Sequence, residues 1–132
     1  MLKRIREWVS RLPPQELDLP LIVLDGLAYT PRMVLAEVER GTTLGQRLQQ
    51  LVEMRSFGTT MSEAYSLAKL RLKQILSRYP PDKPIVAALG VEGPIVYTPR
   101  ELIEEIERGT PRGTQWIEGE INRMRYLMSL VR

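Results

Sequence analysis

Residues 97–113 read YTPRELIEEIERGTPRG, and residues 29–45 read YTPRMVLAEVERGTTLG. Ten of the seventeen aligned positions are identical. Little else restricts a chain of 132 residues so strongly, because each local instruction has to work in two places. The echo also extends upstream. SRLPP at 10–14 matches SRYPP at 77–81, and Pro20-Leu21-Ile22-Val23 resembles Pro84-Ile85-Val86. The offset is about half the chain. The pattern predicts a helix-rich α+β fold made by tandem duplication of an α–β-hairpin–α–α unit with pseudo-two-fold character. One copy is placed at 1–58 and the other at 59–132, together forming one domain.

Each copy carries the same grammar. A helix comes first, with Leu2, Ile5, Trp8, Val9 and Leu12 at helical spacing. Its counterpart is longer, near 61–79, with Thr60 or Ser62 able to cap it. A Pro-Pro pair stops each helix, since proline lacks an amide donor and restricts the residue before it. A hairpin follows. Asp25-Gly26 between apolar runs predicts a two-residue turn with positive φ. In the second copy the loop centres on Gly90–Gly93, and Pro94 opens a strand or lies on an edge. Two hairpins suggest either one four-stranded antiparallel sheet or hairpins packed on helices.

The shared motif then starts a helix. Thr98 is the N-cap, Pro99 is N1, and Glu101 at N3 completes a capping box. Thr30 and Pro31 repeat this, but Met33 removes the reciprocal half. Val34, Leu35 and Val38 form a buried stripe, matched by Leu102, Ile103 and Ile106. Gly41 and Gly109 stand where a left-handed residue ends a helix. The last helices are built on Leu44, Leu48, Leu51 and Val52, and on Trp116 or Ile117, Ile121, Met124, Leu127 or Met128, and Val131.

Composition removes several chemistries. With no cysteine and no histidine, the chain has no disulfide, thiolate nucleophile, Cys/His zinc site or histidine base. The net charge of +3 is spread over both halves and forms no basic block. The apolar runs at 20–24 and 85–89 are too short to span a bilayer, so no transmembrane segment and a cytoplasmic location are expected.

Five features bear on function. GTTLG (41–45) and GTPRG (109–113) resemble anion cradles but lack the Lys-Ser/Thr of a P-loop, and a cap–turn–cap reading suffices. Glu37, Glu39, Glu101, Glu104, Glu105 and Glu107 suit a solvated helix face, with Glu104–Arg108 an i,i+4 pair. The segment MLKRIREWVSRL is basic and amphipathic, which fits a packed helix or an anionic surface.

The 61–79 helix carries a stripe of Met61, Ala64, Tyr65, Ala68, Leu72, Ile75, Leu76 and Tyr79, with Leu67 and Leu70 off it. With Trp116, Met124, Tyr126 and Met128 of the last helix, Leu67 and Leu70 are candidate protein-interface residues. The helix pair at 99–131 also resembles a helix-turn-helix, in which Arg112, Gln115, Asn122, Arg123 and Arg125 would face nucleic acid.

The expectation is a non-enzymatic assembly or adaptor protein that binds copies of itself or a larger complex. A nucleic-acid-binding regulator is the alternative. No catalytic, metal or cofactor residue is assigned.

Overall fold

A computed structural model describes residues 2–91 and 93–132, without the side chains of 86–90. The fold is helix-rich α+β. Along the chain run α1 (Leu2–Arg11), a 3-10 turn (Pro14–Glu16), β1 (Ile22–Leu24), β2 (Leu27–Tyr29), α2 (Pro31–Arg40) and α3 (Thr43–Glu53). They are followed by α4 (Met61–Leu76), β3 (Ile85–Gly90), β4 (Gly93–Tyr97), α5 (Pro99–Arg108) and α6 (Pro111–Ser129). The strands form two separate two-stranded antiparallel sheets, β1–β2 and β3–β4. The four-stranded option is therefore not realised.

The chain forms two compact units. One comprises residues 1–67 and 121–132, the other residues 68–120. Contact and sequence resemblance thus divide the chain at different places, because the end of α6 packs with the unit that holds α1. The Trp8 indole donates to the Leu127 carbonyl at 3.0 Å in that unit's interior. Ile5, Leu21, Ile22, Val34, Leu48, Val52, Met124 and Leu127 are buried there. Arg4, Arg11 and Arg55 donate to the backbone oxygens of Arg132, Leu130 and Val131 at 3.0, 3.2 and 2.7 Å. These cations satisfy carbonyls beyond the end of α6, where helix polarity favours positive charge. The basic segment at the start of the chain is thus engaged inside its own unit, and its Trp8 is fully buried.

The β1–β2 turn holds Asp25 at φ 53° and Gly26 at φ 78°, with Leu24 opposite Leu27. Asp25 tolerates this conformation and also receives the Arg47 guanidinium at 2.7 and 3.3 Å. The Val23 amide donates to Phe57 at 2.7 Å, so a returning segment uses the open edge of β1. In the other unit, β3 pairs with β4 from Ile85↔Tyr97 to Gly90↔Gly93, with a bulge between Val86 and Ala88. Pro94 lies inside β4, which a two-stranded sheet permits because every strand is an edge. Glu92 of this loop lies outside the described residues.

The two T-P corners are built alike. The hydroxyls of Thr30 and Thr98 accept from the amides of Met33 and Glu101, both at 3.1 Å, and Glu101 returns the bond to the Thr98 amide. Gly41 and Gly109 end α2 and α5 at φ 69° and 67°. In the first turn of each helix, Arg32 meets Asp18 at 2.9 Å and Arg100 meets Asp82 at 3.2 Å. α4 starts on Thr60, which exchanges bonds with Glu63 at 3.2 Å in each direction. It ends at Leu76, earlier than residue 79, because Pro80 pushes the preceding residue out of helical geometry.

Candidate functional site

α6 begins where Thr110 accepts from the Gly113 amide at 3.1 Å, with Pro111 supplying a preset φ at the first position. From there, positions 112, 115, 116, 119 and 120 fall on one face, three and four residues apart. This face lines a cleft of about 380 Å³ within the unit 68–120, formed by Leu72 of α4 with Arg112, Gln115, Trp116, Gly119 and Glu120. Leu72 is buried, while Trp116 and Arg112 are half-buried.

Two glycines of α6 differ in kind. A Cβ on Gly113 would lie 2.1 Å from the Glu105 carbonyl oxygen, so packing against α5 requires glycine there. A Cβ on Gly119 would meet nothing within 4 Å. Glycine inside a helix costs about 1 kcal/mol relative to alanine. At Gly119 no packing offsets that cost, and the missing side chain keeps the cleft open.

The charges of the cleft are unequal. Glu120 is only 6% exposed and accepts from Arg71 Nε at 2.8 Å, with Arg71 completely buried. That carboxylate is neutralised inside the unit. Arg112 has a long 3.5 Å contact to Gln115 Oε1, and among the described residues no carboxylate forms an ion pair with it. The rim therefore carries one uncompensated positive charge beside apolar walls. Among the described residues, the cleft is lined by hydrocarbon, indole, guanidinium, amide and carboxylate groups.

The structure sorts the sequence candidates. Of the interface set, Leu67, Met124 and Met128 are buried in the chain itself, Leu70 and Tyr126 are 41% and 57% exposed, and Trp116 lines the cleft. Of the nucleic-acid set, Arg112 and Gln115 line the same cleft. Arg123 is bound to buried Glu16 at 2.8 Å. Asn122 accepts from Arg125 at 3.2 Å on the exposed face. The cleft thus unites Trp116 with Arg112 and Gln115, and leaves the others apart.

Gly119, Glu120 and Arg71 carry no functional signature in the sequence alone. The readable signal was a charge inside an apolar stripe. Arg71 falls among Ala64, Leu67, Ala68 and Leu72, which places Leu67 on the buried stripe of α4 rather than off it.

Several of the other acidic and threonine side chains are partnered within the chain. The amide of Gly45 donates to Thr42 at 2.9 Å, and the Thr42 hydroxyl donates to Glu37 Oε2 at 2.9 Å. Thr110 is joined to Glu105 in the same way. A carboxylate beside each helix start disfavours a second anion there. Glu37 also pairs with Arg40 at 2.8 Å. Glu104 and Arg108 form no ion pair among the described residues; Lys73 meets Glu107 instead, at 2.8 Å. The Lys73 hydrogen bond and charge hold the Glu107 carboxyl below its ordinary range. Among the described residues, no three acidic side chains are grouped to hold a metal ion, and no helix is long and apolar enough to cross a membrane.

Compared with family models, with curated proteins and with solved structures, this chain shows no match.

Proposed function

We propose that the chain is a non-enzymatic assembly or adaptor protein that docks a partner protein, a second copy of itself included, on the α6 cleft. The observation that carries this reading is the open apolar cleft at Gly119, where Leu72 and half-buried Trp116 meet a helix position with no packing reason to be glycine. Such a pocket suits an inserted anchor side chain of the kind that dominates binding energy.

We further propose that 1–58 and 59–132 are tandem copies of one unit. Support comes from paired details: Asp18–Arg32 and Asp82–Arg100, Thr42–Glu37 and Thr110–Glu105, and crowded Gly45 and Gly113. On that alignment the cleft positions Arg112, Trp116, Gly119 and Glu120 correspond to Leu44, Leu48, Leu51 and Val52. At these four positions the first copy carries aliphatic side chains throughout. A cytoplasmic setting fits the absence of cysteine.

Native mass spectrometry of the purified chain, with affinity capture from its source, tests the reading. Self-association or a retained protein that is lost in Gly119→Trp is expected. A strict monomer that retains nothing overturns it. The nucleic-acid alternative draws on exposed Arg125 and Asn122, but loses Arg123 to Glu16. It requires binding that weakens steeply with salt.

A further inference from the structure

Resting on the docking reading, we infer that the cleft receives an apolar side chain flanked by a carboxylate, presented by an acidic peptide segment of the partner.

The size of the cleft limits the occupant. At about 380 Å³ it lies near the low end of the range of ligand pockets, so it holds one or two side chains rather than a large cofactor. Its chemistry is asymmetric. Leu72 and Trp116 offer hydrocarbon and aromatic surface, and Gly119 lets a partner atom approach the helix backbone. At the rim, Arg112 presents a planar fork of donors that matches a carboxylate in bidentate geometry.

Glu120 would repel such a carboxylate if its charge were free. The buried Arg71 at 2.8 Å compensates it. The pair therefore supplies a polar wall without a net negative charge, and Arg112 alone sets the preference for an anion. At the cleft the second half differs from the first, with Arg112 for Leu44, Gln115 for Arg47, Trp116 for Leu48, Gly119 for Leu51 and Glu120 for Val52, as it does along the rest of 114–122. A nucleic-acid strand is less suited, because one arginine beside an apolar pocket engages a single anionic group and not a backbone of phosphates.

A phage-displayed random heptapeptide library, panned on the full chain with counter-selection on Gly119→Trp, tests this inference. Thermal melts followed by circular dichroism establish that the variants fold. Enriched peptides are expected to place Asp or Glu within two positions of Phe, Trp, Leu or Met. A synthetic binder should lose about tenfold in affinity when its acid becomes an amide, and about tenfold on Arg112→Gln. The two changes together should cost little more than either alone, the mark of a direct pair.

Peptides that need an open Gly119 but ignore Arg112→Gln would overturn the acidic-partner inference and leave docking intact. Failure to select any Gly119-dependent peptide would overturn the inference and, with a negative affinity capture, the docking reading as well. A single-stranded oligonucleotide held through Arg112, with no peptide selected, would assign the cleft to nucleic acid and overturn the proposal.

Discussion

The carbonyl oxygen of Glu37 occupies the space where a side chain on Gly45 would begin: a Cβ there would lie 2.2 Å away. Gly113 stands in the same relation to Glu105, at 2.1 Å. The obstacle in each case is backbone, which cannot swing aside as a side-chain tip would. Gly45→Ala and Gly113→Ala should each destabilise the protein by about 3 kcal/mol, the upper end of ordinary overpacking. Gly119→Ala should act oppositely and stabilise α6 by about 1 kcal/mol. Urea denaturation of the three variants separates crowding from propensity.

The caps give a second pair of outcomes. Thr98→Ala removes both the bond to Glu101 and half of a capping box, and should cost about 1 kcal/mol. Met33 occupies the matching third position of α2 and is half exposed. Met33→Glu should complete the box with Thr30 and stabilise by about 0.5 kcal/mol. Midpoints of thermal unfolding check both.

The Arg71–Glu120 pair should show the asymmetry of buried ions. Glu120→Ala leaves a buried guanidinium short of its countercharge and should cost about 3 kcal/mol. Replacing both at once, as Arg71→Met with Glu120→Leu, should recover most of that loss. A double-mutant cycle in urea measures the coupling.

Acid should weaken two exposed pairs. Hydrogen bonding to Arg47 and its charge lower the Asp25 pKa, and Lys73 lowers that of Glu107 in the same way. A carboxylate with a depressed folded-state pKa contributes stability above its unfolded-state pKa and loses it as pH falls through the folded-state value. Stability should therefore decline below about pH 4, where carboxylates titrate. Asp25→Asn should flatten part of that decline at low ionic strength, and added salt should shrink the difference because the pair is exposed. Denaturant midpoints between acid and neutral pH give the measurement.

What could be read in the chain was local. Thr98, Pro99, Glu101 and Gly109 act within a few residues of one another, and so do Asp25 and Gly26. Their roles follow from backbone geometry alone. The cleft was not legible because its parts meet only in three dimensions. Arg71 and Glu120 are 49 residues apart, and Glu16 and Arg123 are 107 apart. A charged residue in an amphipathic helix is read outward unless its distant partner is known. Leu67, Met124 and Met128 look like surplus apolar surface in the sequence for the same reason, since the pattern does not show how much cover the rest of the chain supplies.

The bond from Trp8 to Leu127 joins positions 119 residues apart within one unit, and the whole of the other unit lies between them in sequence. During synthesis, α1 therefore emerges long before the segment that seals it. The nascent chain has to carry the Trp8 indole without its Leu127 acceptor until residues 121–132 are made. The segment 68–120 has its own sequence complete before residues 121–132 are made.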